Sequence, residues 1–289
     1  MTSGTRRSGH RTATHRVVVY SAQFGDYDPI MPVLRPDPGS DYVILSDRRM
    51  RVPSPWTLEL VTVPEAGLND RMRNRWCKLH ATEIFGDHDL SVYVDAHLQI
   101  VGDLRPLVEQ FVLSRAPIGL IPQWRASSVD EEVELCKRAG RISPRDHTLF
   151  WPEQRARQRA AGFKDDFGVF VGGVVFRDHR HQETSAVEAL WWNELRGGVP
   201  RDQVALPFAL WATGTEPYRL PLTWPLRSPL RYWDHLPRAH RYHRVVRWFA
   251  ARQALRPWYR WPIRLLTPRA ALRAVAARRR RDPDMVPGQ

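Results

Sequence analysis

Cysteine is nearly absent. Cys77 and Cys136 are the two in 289 residues, too few for a disulfide scaffold and in no metal-ligand spacing, which suits a reducing compartment and reads as two small buried side chains. No run of 18 apolar residues occurs, and no apolar segment follows the N-terminal arginines, so the sequence predicts neither a membrane span nor a signal peptide and places the body in the cytoplasm. Lysine is scarce as well: Lys78, Lys137 and Lys164 are the three lysines among 44 cationic residues, a bias expected of a GC-rich coding sequence rather than of a ligand. The patterns G-x-S-x-G, G-x-x-x-x-G-K-[ST] and H-E-x-x-H are missing too, and with them the residues that hydrolase elbows, phosphate-binding loops and zincins require.

What is present is aromatic and apolar. Twelve Trp, ten Phe and eight Tyr, with 43% hydrophobic residues, exclude a wholly disordered chain despite a mean hydropathy of −0.47. The length suits one α/β-sized core with extensions. The net charge of +13 is uneven: residues 1–16 carry four arginines and no acid, residues 236–289 carry 14 arginines against Asp282 and Asp284, and residues 17–235 are left with −3. Three regions follow: a disordered basic leader over 1–14, a body over 15–235, and an Arg/Trp-rich helical tail over 236–289.

Within the body, short apolar runs end in acids. His15–Ser21, Asp41–Asp47 and Leu90–Asp95 read as buried parallel strands, joined by extended pieces over Leu98–Val101, Pro117–Pro122 and Phe167–Phe176. Asn69 or Asp70 caps a helix over Arg71–Phe85 that Gly86 stops, and further helices are expected over Pro106–Val112, Ser185–Leu195 and from Arg201 to about Leu210. The polar stretch 123–165 gives no clear period. Strand–helix alternation of this kind predicts an α/β fold: a mixed, mainly parallel sheet flanked by helices.

The chemistry gathers at strand ends. Alternation along the third strand places Asp95 and His97 on one side of the chain, where they can share a divalent ion; an Asp capping the next turn beside a solvated His is the plain alternative. Asp47 ends another strand and can face the same crevice. Arg71, Arg75 and Lys78, at i, i+4 and i+7, share a helix face that suits a diphosphate; taken alone, a solvated face explains them better, and it is the order of the segments that favours the diphosphate.

Taken in order, Val18–Asp28, Val43–Asp47 and Tyr93–Ile100 resemble successive blocks of a glycosyltransferase-like family long catalogued as a domain of unknown function, whose plant members include mucilage-related and alkaline-ceramidase-named proteins. Further matching pieces are Pro122 with Arg125 and Glu132, Gly172–Arg177, Trp192–Leu195 and Arg201–Gln203. The resemblance covers roughly residues 16–212 and implies a GT-A type fold, Rossmann-like, that binds a nucleotide-sugar. It implies that Phe24, Asp26 and Tyr27 border the base, Asp47 the base or ribose, and Arg71, Arg75 and Lys78 the phosphates. Gly172 and Gly173 would let the sugar approach the backbone. Asp95 and His97 take the place of an Asp-x-Asp-type motif, with manganese preferred to magnesium because imidazole replaces the second acid. Asp202 and Gln203 are the candidates for contacting the transferred sugar or the acceptor, Glu132 is the reserve base, and Arg125, Asn193 and Arg201 are placed near sugar or acceptor.

The expected function is therefore metal-dependent transfer of a sugar, hexosyl or related, from a nucleotide-sugar, UDP-sugar first, to a lipid-linked or glycan acceptor. The tail fits an anionic membrane surface at the inner face of the cell membrane, with nucleic acid the weaker partner and a helical cap on the domain the bland alternative. A catalytically inactive GT-A-like body whose tail binds membrane or nucleic acid is the competing function.

Overall fold

The computed structural model describes residues 15–25, 28, 30–222 and 229–232, together with 245 and 248. The leader 1–14, Asp26, Tyr27, His235 and almost all of the tail lie outside the described residues. The elements run β1 (Val17–Ala22), β2 (Ser40–Ser46), β3 (Thr57–Leu60), α1 (Asp70–Leu79), α2 (Ala81–Ile84), β4 (Leu90–Val94), β5 (Leu98–Ile100), α3 (Arg105–Ser114), β6 (Ile118–Pro122) and α4 (Val129–Arg138). A π-helical turn, Asp146–Phe150, leads into α5 (Trp151–Ala160), followed by β7 (Phe170–Asp178), α6 (Gln182–Arg196), α7 (Asp202–Ala212), β8 (Tyr218–Arg219) and β9 (Leu230–Tyr232).

Seven strands form one sheet in the order β3-β2-β1-β4-β7-β6-β8, and β5 pairs with β9 in a small second sheet. Strand β1 runs parallel to both β2 and β4, whereas β7 runs antiparallel to β4 and β6. Every residue of β1, β4 and β7 is buried, as expected of strands covered on both faces, and this is why they read as continuous apolar runs without polar alternation. On one face Tyr20, Tyr93 and Val175 pack under α1, α6 and α7 with Trp76, Trp191 and Leu206; on the other Val19, Val92 and Phe176 pack against Leu107 and Phe111 of α3. A third apolar cluster joins α4 and α7 through Val133, Cys136, Val204 and Phe208. The α/β expectation of a mixed, mainly parallel sheet flanked by helices is met.

Several elements depart from the sequence reading. The helix expected over Arg71–Phe85 is two helices, broken at His80, whose ψ of 37° leaves the helical region. The break is stabilised from outside: Glu188 of α6 accepts the freed backbone N–H groups of Ala81 and Thr82, and the Thr82 hydroxyl as well. The stretch without a readable period, 123–165, holds α4, the π-helical turn and α5. Here buried polar groups replace an apolar stripe: Gln154, Arg155 and Gln158 face inward and bond to Glu194, Asp130 and Asp165.

The sheet also encloses a charge. Arg177 of β7 is fully buried, its Nη2 donating to the Lys78 carbonyl at 2.6 Å and its Nε lying 2.7 Å from Glu188 Oε1, without the alignment of a hydrogen bond. Its Nη1 donates to the Tyr20 hydroxyl, which in turn donates to the same Lys78 carbonyl. Breaking a buried pair by deleting one partner costs about 3–5 kcal/mol, so this cluster fixes α1 and α6 onto the sheet.

Beside it, His179 sits with Nδ1 at 3.2 Å from the Phe85 carbonyl and Nε2 at 2.8 Å from the Ser91 hydroxyl, partners that satisfy a neutral ring. Burial, reinforced by the Arg177 charge, pushes its pKa from 6.5 down to about 4. Below pH 6.5 the unfolded chain then takes up a proton that the folded chain refuses, so stability is lost as pH falls towards 4. Equilibrium urea unfolding is expected to show the wild type losing about 2–3 kcal/mol over that window relative to His179→Gln, at 1.36 kcal/mol per pKa unit reduced for partial exposure. Parallel slopes for the two proteins would exclude His179 as the source.

Candidate active site

A cleft of about 820 Å³ opens at the carboxyl ends of β1 and β4. Its wall is built from Ala22–Phe24 after β1, one face of α1, the turn after β4, the first half of β7 and the start of α7. The volume falls within the range of small-molecule sites. Helix α1 is started by Asn69, whose side chain accepts the Met72 N–H, and it presents Arg71, Asn74, Arg75 and Lys78 to the cleft at the spacing of one helical face. The i, i+4, i+7 pattern thus placed three cations correctly on one wall, with Asn74 between them.

Asp202, the first residue of α7, reaches across to that wall. Its Oδ1 accepts from Arg75 Nε at 2.6 Å and its Oδ2 from Lys78 Nζ. Burial pushes the Asp202 carboxyl up, and the Lys78 and Arg75 charges outweigh it, holding the group far below the usual carboxylate range. A carboxylate so held is a poor proton acceptor; its work here is to fix two cations. Lys78 is only 2% exposed, and its ammonium also lies 5.0 Å from the centroid of Tyr93 and 5.6 Å from that of Trp191. Arg75 Nη1 is buried without an acceptor among the described residues.

Asp95 and His97 both line the cleft, but alternation along a strand is not what brings them together. β4 ends at Val94, and the two residues occupy a turn closed by the Leu98 N–H on the Asp95 carbonyl at 2.8 Å. The Asp95 N–H, 2.9 Å from the Gly173 carbonyl, extends the β7 contact by one residue. Tyr93 donates to Asp95 Oδ1 at 2.7 Å and lies 3.3 Å from Asn74 Oδ1, while Asn74 donates to the Ala22 carbonyl, so the acid is oriented from two elements. Burial, with the Asp95 charge, raises the Tyr93 hydroxyl well above its ordinary value and keeps it a donor. The His97 ring is buried and packs edge-on against Tyr232 of β9 at 5.3 Å.

One carboxylate and one imidazole are a fitting pair for a divalent ion that draws its remaining ligands from substrate phosphate and water. Among the described residues no group of three or more His, Cys, Asp or Glu side chains is arranged to hold a metal by itself.

The two glycines of β7 serve the protein's own side chains. A Cβ on Gly172 would stand 3.0 Å from Lys78 Nζ and 3.1 Å from Asp202 Cβ; one on Gly173 would stand 3.1 Å from Asp95 Oδ2. They let the ion pair and the acid lie against the strand, and both also line the cleft.

Phe24, Arg125, Arg201 and Gln203 also line the cleft. Three expected residues do not. Asp47 follows the end of β2 and pairs with Arg73 outside the lining, because its strand lies beyond β1 from the cleft's centre. Glu132 is buried on the inner side of α4, where Cys136 donates to it, and Asn193 is exposed on α6. Asp26 and Tyr27 lie outside the described residues. Sequence reasoning passed over Asp70, Asn74, Tyr93, Gln123, Arg141 and Tyr232, all cleft residues. Asn74 alone carried a usable signal, standing on the face that Arg71, Arg75 and Lys78 define.

The TOD1/MUCI70, glycosyltransferase-like domain family matches residues 54–218. The chain belongs to this family. The matched span runs from just before β3 to β8 and contains α1, Asp95, His97, the β7 glycines and Asp202; Phe24 and Tyr232 lie outside it. No curated protein matches the chain. Among solved structures, the apo form of mouse xyloside xylosyltransferase 1 aligns at 9% identity and a TM-score of 0.41, over 71% of this chain and 84% of that one. The apo structure of the WbbM bifunctional glycosyltransferase aligns at 12% identity and a TM-score of 0.39, over 71% of this chain and 38% of that one.

Asp202→Asn leaves Lys78 and Arg75 without their counter-charge in the cleft wall. It is expected to cost about 3 kcal/mol of unfolding free energy, the low end for a broken buried pair because the cleft admits water. Lys78→Met in the same chain is expected to return part of that loss. Additive losses in the double variant, measured by urea denaturation, would show that the two side chains do not act as a pair.

Proposed function

We propose that this member of the TOD1/MUCI70 family is a glycosyltransferase that binds a nucleotide-sugar, UDP-sugar first, in the cleft and passes its sugar to a lipid-linked or glycan acceptor. The observation that carries the reading is the convergence of Asp95 and His97 with Arg75 and Lys78 on one wall at the carboxyl ends of β1 and β4. Open α/β sheets bind ligands at this end of their strands. Fixed cations beside a carboxylate–imidazole pair are what a metal-bound diphosphate needs.

The parts divide as follows. Arg75 and Lys78, held rigid by Asp202, face the diphosphate and stabilise the charge that grows on it as the glycosidic bond breaks; preorganised charges of this kind need no rearrangement at the moment of reaction. Asp95, oriented by Tyr93, and His97 would hold a divalent ion, manganese in preference to magnesium, which when bound supplies Lewis-acid neutralisation of the leaving diphosphate. Phe24, next to the end of β1, lines the cleft where the base would lie, but its ring is buried in the core beneath the Arg73 guanidinium and supports that wall rather than stacking on the base. Gln203 and Arg201, beside Asp202 at the start of α7, stand where the transferred sugar meets the acceptor. The composition of residues 236–289, arginine with tryptophan and leucine, supports attachment to an anionic membrane surface.

Thermal unfolding of the full chain with UDP-, GDP-, ADP- and dTDP-sugars, each with and without manganese, tests this reading. One nucleotide class with manganese is expected to raise the Tm by about 5 °C at a ligand concentration near 100 Kd. Asp95→Asn, which keeps the shape and removes the charge, is expected to abolish the manganese-dependent part of the shift. Equal melting temperatures with every donor and metal would refute the proposal.

A further inference from the structure

The charges lining the cleft are unevenly matched. Six cationic and four acidic side chains face it. On the α1 wall they are partly paired: Asp202 binds Arg75 and Lys78, Asp70 is bound by Arg73 from outside the lining, and Arg71 donates to the Pro200 carbonyl at 3.2 Å. Three other guanidinia come from three separate segments: Arg125 after β6, Arg141 after α4, and Arg201 immediately before α7. Among the described residues none of these three meets a carboxylate. Arg125 lies over the exposed Trp124 ring at 5.0 Å, and Arg201 Nη2 donates to Gln203 Oε1 at 3.1 Å. Arg201 Nε is buried and finds no acceptor among the described residues.

Arg141 and Arg201 line the cleft on the side of Cys136. The Arg141 N–H donates to the Cys136 carbonyl at 2.8 Å, and the thiol, raised by burial, is acted on by both arginines and, in the opposite sense, by the buried Glu132 carboxylate to which it donates. The carboxylate at this spot, Glu132, accepts from Cys136 and forms no ion pair with either arginine among the described residues, and a buried guanidinium N–H without an acceptor costs free energy. An anion that accepts from that N–H relieves the cost. The donor's diphosphate already has Arg75, Lys78 and the Asp95–His97 pair to meet it, so its charge does not account for this second group.

We propose that Arg125, Arg141 and Arg201 form an anion subsite, and that the acceptor is an acidic saccharide, one bearing a carboxylate or a phosphate close to the hydroxyl that receives the sugar. The proposal rests on the glycosyltransferase reading and adds the chemical class of its acceptor. Planar guanidinia suit both groups, since each can bind two oxygens at once.

The test is isothermal titration calorimetry on the full chain with cellobiouronate and with cellobiose, which differ by one carboxylate. UDP, GDP, ADP and dTDP with manganese, and UDP-glucuronate against UDP-glucose, are titrated in parallel. Cellobiouronate is expected to bind about tenfold tighter than cellobiose at 50 mM salt, the size of one charge-assisted contact, with the preference shrinking as salt rises. In the Arg141→Gln/Arg201→Gln chain, shown to be folded by its circular dichroism and melting curve, the two disaccharides are expected to bind within about twofold of each other; Arg125→Gln, checked in the same way, provides a variant on a separate segment. Equal binding by the wild type, alongside a nucleoside diphosphate that does bind, overturns the anion subsite and leaves the glycosyltransferase reading intact. A preference for UDP-glucuronate without one for cellobiouronate assigns the anion to the donor sugar and overturns the acceptor assignment. A retained cellobiouronate preference when no nucleoside diphosphate binds supports the subsite and overturns the function proposed above.

Discussion

The cleft depends on one carboxylate. Asp202 sits where α7 begins and grips Arg75 and Lys78 of α1, two elements separated by more than 120 residues of chain. Without that grip, an ammonium buried to 2% exposure would stand in a wall of aromatic rings with no counter-charge. The geometry around it is set to allow this contact: Gly172 removes the Cβ that would crowd both Lys78 and Asp202, and Trp191 donates to the Asp202 carbonyl to hold the start of α7. The side chains proposed to face a donor diphosphate are thus fixed before any ligand arrives.

The same economy extends along the wall. Tyr93 gives its proton to Asp95, Asn74 ties α1 to the end of β1, and Gly173 makes space for the free oxygen of Asp95. Behind them the buried Arg177–Glu188 pair anchors the carbonyl of Lys78 and the broken start of α2. Polar order therefore runs from the back of the sheet to the mouth of the cleft, with α1 as the element common to both. Satisfied networks of this kind specify a single arrangement; among the buried side-chain atoms without a hydrogen-bond partner in the described residues, Arg75 Nη1 and Arg201 Nε belong to residues that line the cleft, and Arg177 Nε belongs to the buried pair with Glu188.

How much of this was legible in the sequence follows from what each signal reports. Continuous apolar runs disclosed β1, β2, β4 and β7, because strands buried on both faces have no polar positions to interrupt them. Helical spacing disclosed the face of α1. Short edge strands such as β3 and β8 carry too few buried residues to register: Thr57–Leu60 has no fully buried position. α5 was hidden because Gln154, Arg155 and Gln158 face inward, so the hydrophobic period was missing where the helix packs. At the site, strand-end logic drew attention to Asp95, His97 and Asp47 alike, but the cleft lies over β1, β4, β7 and the end of β6, and β2 stands beyond β1 on the other side. The contact of the β7 glycines with Lys78, Asp202 and Asp95 was not legible because those residues are distant in sequence. Asn193 and Glu132 were named from local blocks, which do not tell which side of a helix faces the sheet.

The central claim is that a nucleotide-sugar's diphosphate lies against Arg75 and Lys78 beside Asp95 and His97. A crystal structure of the full chain with a nucleoside diphosphate and manganese tests it most directly. The account predicts phosphate oxygens on the α1 cations and an ion bound by Asp95 and His97, with the Asp202 contacts retained. A nucleotide seated elsewhere, or an ion bound without either Asp95 or His97, would contradict it.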